Sequence, residues 1–121
     1  MAAPKRPVVI VNRPTVVAFF PLAKSAELSN NPDENEALAD FKSYSARVRE
    51  WAGKMGINFE EIYATSFSMK FAAKTIVFRP KPAQCGYYFV APGKSPRIEY
   101  GVTTDDDILR IASEYFQIAS K

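Results

Sequence analysis

Hydrophobic positions fall along the chain in two rhythms. Val8–Val11 and Thr15–Phe20 are short apolar runs separated by Asn12-Arg13-Pro14. The second is rich in Val, Thr and Phe and shows no polar alternation, which predicts a strand buried on both faces, as at the centre of an α/β sheet. Pro21 ends it, and a loop is expected through Asn30. From residue 31 the rhythm changes. Leu38, Phe41, Tyr44, Val48, Trp51 and Met55 recur at steps of three and four, drawing one stripe down a helix. Asn31 offers a cap, Pro32 suits the first helical position, and Glu34 sits three residues after the cap. Asp33, Glu34 and Glu36 complement the positive end of the helix dipole, and Arg47, Arg49 and Lys54 lie toward the negative end. Gly53 and Gly56 mark the stop, with Gly56 as a left-handed cap.

Residues 57–66 read as a strand with its entry. The stretch 67–78 carries two readings. Phe67, Met69 and Phe71 alternate as in a strand, while Ser-Met-Lys-Phe-Ala-Ala-Lys also suits a short helix; Thr75–Phe78 is β-branched and aromatic, so a strand is expected there. Arg79-Pro80-Lys81-Pro82 must be extended or turning, because a residue before proline is pushed out of the helical region. A hairpin follows, with strands Tyr87–Ala91 and Arg97–Val102 about a turn at Pro92-Gly93-Lys94-Ser95. Ile98, Tyr100 and Val102 alternate with Arg97, Glu99 and Gly101, which predicts one buried face. Thr103 or Thr104 caps a last helix whose inner stripe is Ile108, Ile111, Ala112, Tyr115 and Ala119.

Composition narrows the chemistry. The chain has 121 residues, one domain's worth, with 47% hydrophobic and 13% aromatic positions. That apolar content requires a core and excludes a disordered chain. Residues 1–7, with two prolines and two cations, read as a flexible lead-in to a domain over 8–121. Histidine is absent, which removes imidazole acid–base work, the Ser-His-Asp triad and His-ligated metals. A single cysteine, Cys85, removes an internal disulfide, a Cys-X-X-Cys pair and a Cys-rich zinc site. Asp105–Asp107 at a helix start point in different directions and do not make a metal site. Glu60 and Glu61 are adjacent, so on a strand they face opposite sides. No cofactor is expected, and an enzyme is not the favoured reading. No apolar run is long enough to cross a membrane, so no insertion is expected. A lone thiol favours the cytoplasm, with a mature exported protein as the alternative.

Charge is distributed more tellingly than its total. The net charge is +3, yet no Asp or Glu occurs from Ile62 through Ile98. That stretch carries Lys70, Lys74, Arg79, Lys81, Lys94 and Arg97, interleaved with Phe67, Phe71, Phe78, Tyr87, Tyr88 and Phe89. Residues 1–26 are also free of acids and hold Lys24. A basic surface of this kind suits an acidic protein partner. Cations interleaved with aromatics also suit single-stranded nucleic acid, by phosphate contact and base stacking over residues 67–97.

The order of elements resembles the thioredoxin fold, in which a strand–helix–strand half joins a hairpin–helix half. Tyr87–Lys94, Tyr100–Val102 and the capped helix from Thr103 carry the resemblance most sharply; Thr15–Phe20 and Asn31–Met55 fit its first strand and helix. It implies a single α/β domain with a central mixed sheet and helices packed on it. The family's Cys-X-X-Cys belongs between the first strand and helix, but Pro21–Asn31 contains no cysteine. No catalytic residue carries over. The resemblance therefore implies a redox-inactive member serving as a protein-interaction domain. Its working face would involve the Pro21–Asn31 loop and the Arg79–Cys85 connection. Candidate binding residues are Lys24, Lys70, Lys74, Arg79, Lys81, Pro82 and Gln84. The alternatives are a monothiol redox enzyme using Cys85, and the nucleic-acid binder.

Overall fold

A computed structural model of the protein describes residues 7–20, 32–81, 84–101 and 104–117. The expected lead-in, the Pro21–Asn31 loop, Lys24 and Pro82 lie outside the described residues or almost wholly so, as do Val102, Thr103 and Ala119. The elements in chain order are β1 (Val8–Ile10), β2 (Thr15–Phe20), α1 (Pro32–Met55), β3 (Asn58–Tyr63), β4 (Phe67–Lys70), β5 (Thr75–Phe78), β6 (Gly86–Ala91), β7 (Lys94–Tyr100) and α2 (Asp105–Phe116).

They form an α/β domain with two sheets. A four-stranded mixed sheet has the order β3-β2-β6-β7, with β2 parallel to β3 and antiparallel to β6. A separate three-stranded sheet has the order β1-β4-β5. The single sheet expected from the sequence is thus corrected to two. The reason lies in β2, every residue of which is buried. Val16, Ala18 and Phe20 turn to one face, where they meet Leu38, Phe41 and Val48 of α1 and Ile108 and Ile111 of α2. Val17 and Phe19 turn to the other, where they meet Val9, Phe67 and Met69 of the small sheet. β6 divides in the same way, with Tyr87 and Phe89 toward the helices and Tyr88 and Val90 toward the small sheet. Two apolar faces need two covers; the helices supply one and β1-β4-β5 the other.

The local signals place most boundaries. α1 begins at Pro32 and ends in a Schellman arrangement, with Gly56 at φ 71° and the Ile57 amide donating to the Ala52 carbonyl at 2.9 Å. The buried stripe is centred on Leu38, Phe41, Ser45, Val48 and Ala52, which leaves Met55 exposed rather than inward. Ser45 Oγ and the Tyr87 hydroxyl lie 2.9 Å apart in the buried seam between helix and sheet. Thr104 caps α2, accepting from the Asp107 amide at 3.1 Å. The ambiguous stretch 67–78 is a hairpin, with the Phe71 amide donating to the Lys74 carbonyl at 2.7 Å across its turn.

Two details of the second hairpin differ from expectation. Its turn is only Pro92-Gly93, with Ala91 opposite Lys94 and Gly93 at φ 75°, the Pro-then-Gly arrangement of a type II turn. The return strand therefore starts earlier and contains Pro96, which is tolerated because β7 is an edge. Ile98 is 37% exposed rather than buried, since the small sheet does not reach across to cover this edge.

Candidate functional site

The outer face of the small sheet is built by its register. Val9, Met69 and Ile76 form one cross-strand row, and Phe67 opposes Phe78; the fully buried Val9, Phe67 and Met69 fix this side as the inward one. Alternation then sends Val8, Ser68 and Val77 outward as one row, and Ile10, Lys70 and Thr75 as the next. Val8 is 58% exposed and Ile10 60%, the two most exposed large hydrophobics among the described residues. Arg79, also exposed, continues the outward alternation one step past β5.

Six cations lie in the acid-free stretch, and the structure sorts them. Arg97 is taken up internally, pairing with Glu99 at 2.9 Å and Glu114 at 3.5 Å, and its hydrogen bond to Glu99 pushes its pKa up. Lys94 lies over the Tyr115 ring and donates to the Tyr115 carbonyl. Lys81 sits over the Tyr100 ring at 5.2 Å, and its amide donates to the Tyr100 hydroxyl at 3.2 Å. Lys70, Lys74 and Arg79 remain. All three are exposed and form no ion pair among the described residues. Lys74 approaches only the Phe71 ring, at 5.9 Å.

These cations divide between the two ends of β5. Lys70 and Lys74 flank the β4–β5 turn; Arg79 lies about 16 Å further along the strand, at ordinary strand rise. Lys81, Gln84 and Cys85 belong to Arg79's end. The candidates read from the sequence thus form two groups rather than one. Beside the first group lies an apolar cleft of about 800 Å³, walled by Ile10–Asn12, the Lys70–Lys74 turn and Pro92–Gly93. The sequence reading missed Val8, Ile10 and this cleft. Val8–Val11 read only as a short apolar run, and nothing in a three-residue strand says which of its side chains its sheet turns outward.

Cys85 occupies the entry to β6 and packs against the helix-side core. Burial pushes its thiol up from the ordinary value of 9.0, with a smaller opposing effect from a backbone hydrogen bond. A thiolate nucleophile needs the opposite environment. The aromatics of the acid-free stretch are largely used internally. Phe67 and Phe89 are wholly buried, Tyr87 and Tyr88 nearly so, and Phe78 stacks edge-on against Tyr88 at 4.8 Å. Phe71, at the β4–β5 turn, stays half-buried beside the cleft. Among the described residues, no group of Asp, Glu or Cys is placed to hold a metal ion, and no helix is long and apolar enough to cross a membrane. No family model, curated protein or solved structure matches the chain.

Proposed function

We propose that this chain is a non-catalytic, thioredoxin-like binding domain that docks an acidic protein partner on the outer face of its small sheet. One observation carries the reading. Val8, Ile10 and Val77 are exposed together on one sheet face, and Lys70, Lys74 and Arg79 around them have no ion-pair partner among the described residues. Apolar centre and charged rim are the ordinary anatomy of a protein interface. The cations steer and orient an acidic partner, while the apolar residues supply burial.

The thioredoxin-like assignment is supported by the β3-β2-β6-β7 order, the parallel β2–α1–β3 unit and the β6–β7 hairpin leading into α2. α1 and α2 sharing one face of that sheet also supports it. The cysteine-free β2–α1 connection and the depressed acidity of Cys85 favour binding over thiol chemistry.

The test compares wild type with Lys70→Glu/Lys74→Glu/Arg79→Glu in affinity capture from native lysate at moderate salt. A stoichiometric protein captured by wild type and lost from the triple variant is the expected result. Equal capture by both would remove this face as the docking surface.

A further inference from the structure

The cleft beside the β4–β5 turn adjoins the docking face, sharing Ile10, Lys70 and Lys74 with it, and points to a ligand of different size. We propose that it binds a free, single-chain carboxylate, an apolar tail with one anionic head. Its volume of about 800 Å³ is that of a small-molecule site. Its lining is predominantly apolar: Val11 is buried in its wall, and Phe71 with Ala72 and Ala73 forms the turn side. The only charged side chains among the described lining residues are Lys70 and Lys74, both at the turn. No carboxylate among the described residues lines it to repel an anion.

Charge complementarity selects the ligand. A neutral apolar molecule would leave two ammonium groups unused beside it. A nucleotide would need several base-edge partners besides a stacking ring, and among the described lining residues the cleft offers Phe71 as its one ring and Asn12 as its one uncharged polar side chain. A carboxylate head satisfies the lysines by charge-assisted hydrogen bonds, and its alkyl tail replaces water against Val11, Phe71 and the alanines. Ile10, Lys70 and Lys74 belong to both the cleft and the docking face, whereas Val8, Val77 and Arg79 do not line the cleft, so variants at these three separate the two sites.

The probe is decanoate below its self-association concentration, titrated calorimetrically into the purified protein, with decanol as its neutral counterpart. One saturable decanoate site is expected, about tenfold tighter than decanol and weakening as salt rises. Lys70→Glu/Lys74→Glu should lose about tenfold in decanoate affinity while keeping the wild-type circular dichroism spectrum. Ala73→Trp, which narrows the cleft with both lysines intact, should abolish binding. Val77→Asp, on the docking face, should leave decanoate affinity unchanged even if it removes a protein partner. Absence of saturable decanoate binding would overturn the proposal, as would equal affinity for decanol or full affinity in the double lysine variant. Binding to phosphatidylglycerol vesicles without binding to monomeric decanoate would overturn it too, and would identify the lysines as a membrane-surface contact.

Discussion

Gly86 is the position where the four-stranded sheet admits no side chain. It is buried at the start of β6, opposite Phe19 on one side and Tyr100 on the other. A Cβ there would lie 2.2 Å from the Glu99 carbonyl oxygen and 3.0 Å from the Tyr100 Cα. Carbon and carbonyl oxygen rest in contact at about 3.3 Å, so the shortfall is about 1 Å. The obstacle is backbone and cannot rotate aside. Alanine would therefore force β7 away from β6, costing about 1–3 kcal/mol in overpacking and about 1 kcal/mol in weakened pairing. We expect Gly86→Ala to destabilise by about 2–4 kcal/mol, a large share of the roughly 5–15 kcal/mol typical of a domain. Gly53 is the control. It lies inside α1, and a methyl group at its Cα would meet nothing within 4 Å, so Gly53→Ala should stabilise by about 0.5–1 kcal/mol. Urea denaturation followed by circular dichroism reads both signs in one assay. An unchanged midpoint for Gly86→Ala would refute the β6–β7 register at this end of the sheet.

Two further expectations probe the core and the thiol. Phe41 is buried among Phe20, Tyr63 and Tyr87, so Phe41→Ala should cost about 3–5 kcal/mol in the same denaturation experiment. Burial raises the folded-state pKa of Cys85, so the thiol's contribution to stability is intact below its unfolded value and is lost as pH rises through the folded one. Burial acts in the same direction on Tyr88 and Tyr115, which ordinarily ionise near 10.0. Stability should therefore fall above about pH 9. Cys85→Ser should flatten the first part of that fall, and native Cys85 should react with iodoacetamide at about pH 8 more slowly than in urea.

Local signals made several elements legible in the sequence. Five apolar residues in succession after Thr15 announced the two-faced burial of β2, and the 3.6-residue stripe with Gly56 marked α1 and its end. Thr104 and the stripe Ile108, Ile111, Ala112 and Tyr115 likewise announced α2. Sheet membership was not legible. Val8–Val11 and Phe67–Phe78 were readable as extended segments, but their pairing depends on contacts far apart in the chain, such as Val9 with Met69. The lysines were found through the missing acids, a signal carried by composition. Which lysines are available was not legible, since Arg97 and Lys94 are engaged by Glu114 and Tyr115 from α2. The short turn at Pro92-Gly93 was obscured by Pro96, which reads as a turn residue until β7 is known to be an edge.

The choice of cover for the second face of β2 has consequences beyond the core. A covering helix satisfies its backbone internally and can turn a charged side to water. A covering sheet instead keeps edges and a second face of its own. Here that sheet has β1 and β5 at its edges, and the strand period that buries Val9 must send Val8 and Ile10 outward. The exposure of those two side chains is thus the geometric counterpart of burying Val9. Changing Val8 to a charged residue would leave the inward row intact, so the sequence has no core-packing reason to keep it apolar. The same sheet supplies the β4–β5 turn that forms one wall of the cleft, and it lies largely within the acid-free stretch. Apolar face, cations without an ion-pair partner among the described residues, and cleft therefore come together in the one layer that the helices do not provide, and it is there that binding should be sought before the β2–α1 end.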